Sequence, residues 1–153
     1  MKVDPTSIAQ SLCPSAQPEM SNSVIFGIVG GTVEAPRVAY LNEPQPVTDE
    51  LLALTQPVTP TEVFRLAAPC ARNACLHFDG TQCQLVHRTV QLLPQVVSKL
   101  PACRIRSSCR WWQQAGSAAC LRCPQVVTAN HRPSDQARQA ATPGEQQSFE
   151  QAK

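Results

Sequence analysis

The sequence predicts an α+β fold, a small N-terminal β-hairpin region followed by short helices and a cysteine-rich, metal-binding half. Three observations carry that expectation. A β-rich run, "SVIFGIVGGTVEAPRVAYL", is interrupted by a Gly-Gly pair. Two short segments, "VTDELLALTQ" and "TPTEVFRLAA", open with helix-capping residues. Seven of the eight cysteines crowd into residues 70–123.

The 153 residues suffice for one domain with its own core. The 14 prolines favour short elements joined by turns. Residues 1–22 read as a polar, flexible leader in which Cys13 stands alone, a bystander rather than a ligand. Residues 23–130 read as a single small domain whose cysteine-rich part is 70–127. Residues 131–153 read as a polar, largely disordered tail with one weak helix around Ser134–Ala141.

Within the domain, Val24–Val29, Thr32–Glu34 and Arg37–Leu41 are candidate strands, and Gly30-Gly31 is the turn signal between the first two. The G-I-V-G-G string lacks the full glycine fingerprint of a nucleotide loop and has no convincing helix after it. Thr48 is placed to cap a helix whose first turn holds Asp49 and Glu50, where carboxylates suit the helix dipole. Thr59, Pro60 and Glu62 form a capping box with proline at the first helical position, predicting a helix that runs to Pro69. Asp79-Gly80 marks a turn, after which Cys83, Val86, Val90, Leu93 and Val97 recur at helical spacing. Gln84, His87, Arg88 and Gln91 fall mostly on the opposite side, and Pro94 should kink or end this helix.

Charge is uneven. Residues 1–68 hold 3 Lys/Arg and 7 Asp/Glu, whereas residues 69–153 hold 10 and 4, so positive charge travels with the cysteines. "MKVDPTSIAQSL" has no continuous apolar stretch of the kind a secretory signal needs. No apolar run approaches the ~20 residues that span a bilayer. The expected location is the cytoplasm, where thiols stay reduced and clustered cysteines serve metals or catalysis more often than disulfides.

The cysteine block reads C-x4-C-x7-C-x19-C-x5-C-x10-C-x2-C, from Cys70 through Cys75, Cys83, Cys103, Cys109 and Cys120 to Cys123. Cys120-x-x-Cys123 lets two sulfurs reach one metal from a single turn, the smallest unit of both zinc and iron–sulfur sites. A redox dithiol would want that pair at a helix N-terminus after a strand, and a zinc ribbon would want a second knuckle. Neither context is present in the sequence, which moves weight toward a cluster.

"SCRWWQQAGSAACLRCP" resembles the C-terminal cluster motif of the ferric-siderophore reductases, in which a Cys-Cys pair, ten residues and a Cys-x-x-Cys hold a 2Fe–2S cluster. The matched gaps imply Cys109, Cys120 and Cys123 as ligands, with Gly116 at the motif's glycine. Ser108 stands where the family's first cysteine falls, and nothing upstream is similar to that family's reductase body. A broader stretch, from "FGIVGGTVEAPRVAYL" through "CLHFDGTQC" to "CRWWQQAGSAACLRCPQVVT", resembles small cysteine-rich proteins of cyanobacteria. It implies an intracellular bacterial setting and no mechanism.

Cys103 is the nearest cysteine to the place that Ser108 leaves, so Cys103, Cys109, Cys120 and Cys123 make a complete cofactor-binding set. Cys70, Cys75 and Cys83 remain as a second trio, with Cys103 or His77 available to complete a second metal site. One cluster with three spare thiols, two sites, or one 4Fe–4S site drawing on both halves all satisfy the spacing. Trp111 and Trp112 would wall a cluster from water or simply form core. Arg104, Arg106, Arg110 and Arg122 would offset a cluster's negative charge or make a solvated basic face. His87 and His131 read as solvent-facing.

The functional expectation is a small iron–sulfur protein, 2Fe–2S or 4Fe–4S, acting in electron transfer or in redox or iron sensing for a protein partner with an acidic surface. The alternative is a zinc-stabilised interaction module without redox chemistry. A carrier or accessory role is favoured over an enzyme, since no hydrolytic constellation and no flavin or nicotinamide site is visible. A net charge of +2 disfavours nucleic acid as the partner.

Overall fold

The computed structural model describes residues 11–32, 35–126 and 139–141. Four strands form one antiparallel sheet in the order β1-β4-β2-β3: β1 (Leu12–Cys13), β2 (Val24–Gly31), β3 (Pro36–Pro46) and β4 (Phe64–Pro69). Helices α1 (Asp49–Ala53) and α2 (Pro60–Val63) lie between β3 and β4. After the sheet come α3 (Gln84–Leu92), α4 (Arg110–Ala115) and α5 (Ser117–Cys120), with single 3₁₀ turns at Arg72–Ala74, Arg106–Ser108 and Cys123–Gln125. The mixture of one antiparallel sheet and several short helices is α+β.

The expected hairpin forms, but its turn lies one step later than the glycines. Gly30 pairs with Arg37 and Gly31 with Pro36, so both glycines end β2 rather than making the turn. Thr32 and Ala35 close it, the Thr32 amide donating to the Ala35 carbonyl (3.2 Å) and the Ala35 amide to Thr32 Oγ1 (3.0 Å). Gly31 has φ +76°, and a Cβ there would collide with the Ala35 carbonyl, which is why glycine ends this strand. Of the strand expected at Thr32–Glu34, residues 33 and 34 lie outside the described residues.

Thr48 caps α1 as expected, its Oγ1 accepting from the Leu51 amide (3.2 Å). The capping pattern at Thr59–Glu62 starts a helix of one turn only, and Phe64–Pro69, expected to be helical, is strand β4. Every residue from Phe64 to Ala68 is buried because β4 lies between β1 and β2 and both its faces are covered. A strand covered on both faces shows no alternation in sequence. The helix-starting signal therefore had no competing period to contradict it.

The sheet divides two cores. Ala16, Ile25, Phe64, Leu66 and Ala68 form one, with Leu51 of α1 packed against it. Phe26, Ala67, Val86, Trp111 and Ala119 belong to the other, with Cys83, Cys109 and Cys123 among them. Phe26 lies at a register shift between Ile25 and Gly27, present against both neighbouring strands, and packs on the cysteine side. Burying that ring contributes about 2–3 kcal/mol.

The segment expected to be a flexible leader contributes to this sheet. Leu12 and Cys13 pair with Pro69 and Ala68, and the Ala16 amide donates to the Leu66 carbonyl (3.1 Å). Helix α3 begins after Cys83 and stops before Pro94. Arg88, assigned by spacing to its polar side, is buried, and its Nε donates to the Ala140 carbonyl (2.8 Å). Of the helix expected around Ser134–Ala141, only residues 139–141 are described, and Ala140 and Ala141 are helical. Among the described residues no helix is long and apolar enough to cross a membrane.

Candidate metal centre

Cys103, Cys109, Cys120 and Cys123 line one cavity of about 20 Å³, together with Tyr40 and Trp111. Different elements deliver the four thiols. Cys109 is the N-cap of α4, beside the first amides of that helix. Cys120 ends α5 and Cys123 opens the 3₁₀ turn after it, so the x2 spacing brings both to the same side. Gly116, at φ +64°, makes the corner between α4 and α5 and thereby sets Cys109 against Cys120. Cys103 arrives on the loop after Pro101, its amide bonded to the Pro101 carbonyl (2.9 Å).

Arg65 completes the site, on a segment that its capping residues predict to be helical and that is strand β4 instead. It is 1% exposed on the central strand. Its Nη2 donates to Cys123 Sγ (3.1 Å) and to the Pro14 carbonyl (2.8 Å), and its Nη1 to the Cys123 carbonyl (2.5 Å). Its guanidinium carbon lies 5.5 Å from the Phe26 ring centroid. None of these partners is a carboxylate, and Nε has no partner among the described residues. A buried cation in that position calls for an anion.

The electrostatics pose a conflict. Burial works against the Arg65 charge, yet the facing Cys123 sulfur, with Tyr40 and Cys109, outweighs it and raises the guanidinium pKa, provided those groups are anionic. Cys109, Cys103 and Tyr40 resist ionising without a metal. Burial pushes Cys109 up to about 12 and Cys103 upward, and Tyr40 rises chiefly through burial and then through Cys123. Cys120 is also raised by burial, although the Arg106 side chain bonds it and opposes the shift. Metal ligation removes the thiol protons and supplies Arg65 with negative charge, meeting both demands.

By donor chemistry the residues suit a thiophilic metal centre. By volume, about 20 Å³ takes one water-sized body, so a cluster requires the half-buried Cys103 and Cys120 to move outward. Among the described residues no group of three or more His, Cys, Asp or Glu is arranged to hold one metal ion.

The other residues singled out by the sequence take a variety of places. Trp111 is 1% exposed and serves both as core and as a cavity wall, while Trp112 lies 5.5 Å from the Arg106 guanidinium. Arg122 ties α5 to the end of α3 through Leu93 and Ala118 carbonyls (2.7 and 2.8 Å), Arg110 lies over Phe78, and Arg104 is exposed. Cys70, Cys75 and Cys83 lie outside the cavity, and His77 accepts at Nδ1 from Arg88 Nη2 (2.7 Å). His87 is exposed and His131 lies outside the described residues. All eight cysteines are free thiols. No family model matches the chain, and no curated protein or solved structure is similar to it.

Proposed function

We propose that the protein binds an iron–sulfur cluster, 2Fe–2S or 4Fe–4S, through Cys103, Cys109, Cys120 and Cys123. In this reading it works in electron transfer, or in redox or iron sensing, for a protein partner with an acidic surface. The observation that carries it is the buried Arg65 guanidinium, 3.1 Å from the sulfur of Cys123, one of four cysteines that line one cavity, with no carboxylate among its bonded partners. When bound, a cluster supplies one-electron chemistry at thiolate-ligated iron, and nearby hydrogen bonds and charge set its potential. Arg65 and Arg106 hold positive charge against the sulfurs, which favours the reduced, more negative form. Phe26, Tyr40 and Trp111 exclude water from the inner side. Eight free thiols fit a reducing compartment, the cytoplasm.

A structural zinc ion on the same four thiols is the second reading, favoured by the small cavity. A tetrahedral zinc site with Zn–S near 2.3 Å needs four sulfurs roughly 3.8 Å apart around one point, and among the described residues no three Cys, His, Asp or Glu are arranged to hold one metal ion. Anaerobic purification with iron, zinc and acid-labile sulfide analysis and a visible spectrum decides between them. Iron with sulfide and visible absorption is expected, whereas stoichiometric zinc in a colourless solution overturns the cluster.

A further inference from the structure

Residues 80–134 hold seven Lys/Arg and no Asp or Glu. Three of those cations, Lys99, Arg104 and Arg106, follow one another along the loop that leaves α3, and the loop is fastened at both ends to the four-cysteine site. At its start the Val96 and Val97 amides donate to the Leu121 carbonyl (2.9 and 3.3 Å), inside the Cys120–Cys123 knuckle. Arg122 Nε bonds the Leu93 carbonyl (2.7 Å), and Gln125 Nε2 the Pro94 carbonyl (2.6 Å). At its end Pro101 and Cys103 line the cavity. Between these fixings Ser98, Lys99 and Leu100 are exposed, as are Ala102 and Arg104 on either side of Cys103.

Arg106 is held in place without being neutralised. It lines the cavity, donates from Nη2 to the Pro101 carbonyl and lies over Trp112. Neither partner is a carboxylate, so its charge adds to that of Lys99 and Arg104. The loop also lies on the side of the site nearest solvent. Phe26 and Trp111, each 1% exposed, close the inner side, whereas Cys103 and Cys120 are half-buried.

Positive charge alone would suit any polyanion, and two features favour a protein. Leu100 is 45% exposed, which places an apolar side chain among the cations, the pattern of an interface with an apolar centre and a charged rim. Nucleic acid needs open aromatic faces on which bases stack, and Trp112 is half-buried with Arg106 over its ring.

We propose that the loop from Ser98 to Arg106 is the docking surface for an acidic protein, centred on Leu100 and ringed by Lys99, Arg104 and Arg106. That this partner exchanges electrons with the site beneath rests on the cluster reading. The docking itself rests on the charge and placement of the loop and holds with or without metal. Opposite charge steers the encounter, and salt screens it.

The probe is a random copolymer of glutamate and tyrosine, titrated calorimetrically into the protein as isolated anaerobically and after chelation. It should bind in both states and weaken by roughly tenfold or more between about 20 and about 200 mM salt. Lys99→Glu/Arg104→Glu should weaken binding by roughly tenfold or more at the lower salt, with metal content unchanged. Leu100→Ser should weaken it severalfold. Arg37→Glu should change it by less than about twofold, because Arg37 shares a sheet face with Ala39, which pairs with Ile28 of the other core. Iodoacetamide labelling of chelated wild type, mapped by mass spectrometry, locates the contact. Bound copolymer should slow alkylation of Cys103 and leave Cys70, which lies outside the cavity, unchanged. Equal binding by wild type and the double variant, or Cys103 labelling unaffected by bound copolymer, overturns the surface. Tighter binding of oligothymidylate than of the copolymer makes the occupant a nucleic acid, and salt-sensitive self-association lost in the double variant makes it a second copy. Either result overturns an acidic protein. Copolymer binding by protein that contains neither iron nor sulfide leaves the surface standing and overturns the cluster instead.

Discussion

Replacing Arg65 by methionine separates a cation that answers a metal centre from one that merely ties strands together. Methionine fills similar space without donors. The Pro14 and Cys123 carbonyls, bonded at 2.8 and 2.5 Å, each lose a partner whether or not metal is present. Each unsatisfied carbonyl costs about 1–3 kcal/mol, and that loss is common to both states. The bond from Nη2 to Cys123 Sγ differs, because metal ligation makes that sulfur a thiolate. A hydrogen bond to a charged group is worth about 1.5–3 kcal/mol, so Arg65→Met should weaken metal binding by roughly 10- to 150-fold beyond its effect on the fold. Denaturant unfolding of loaded and metal-free protein, wild type and variant, closes a thermodynamic cycle whose difference isolates the coupling. Chelator competition should return the same figure. Removing the positive charge should also lower the reduction potential. Equal destabilisation in both states with unchanged metal affinity would refute the reasoning and make Arg65 a structural cation.

Three further outcomes are expected. Gly31→Ala, at φ +76°, should cost about 1–2 kcal/mol from backbone strain alone, whereas Gly30→Ala, with open space at its Cβ, should be far milder; paired denaturation curves compare them. The Asp79 carboxyl is held at about 2, against an ordinary 3.8, by bonds from the Gln82 and Thr81 amides and the Thr81 and Gln84 side chains. Its folded value is depressed, so the stabilisation is present above the unfolded value and lost as pH falls through the folded one. The melting-temperature deficit of Asp79→Asn should accordingly be full at pH 7 and shrink between about pH 4 and pH 2. Chelation of the loaded protein should raise amide exchange across residues 70–126 while Val24–Gly31 stays comparatively protected; identical protection in both states would make the metal peripheral.

Features that depend on neighbours within one turn could be read from the sequence. The Thr48 cap, the start of α3 after Cys83, its stop before Pro94 and the convergence of Cys120 with Cys123 are local geometry. The grouping of Cys103 with Cys109, Cys120 and Cys123 around one cavity also agrees with their crowding in the chain. Tertiary structure decided the rest. Thr59-Pro60-Thr61-Glu62 starts a helix on its own merits, and only the flanking strands β1 and β2 convert Phe64–Pro69 into β4. That conversion turns Arg65 inward against Cys123, 58 residues away, and places Cys13 alongside the end of β4. Periodicity and spacing record which residues share a turn or a face. They carry no record of which distant strand will supply a buried cation with its anion, because that pairing is fixed by sheet order rather than by any local preference.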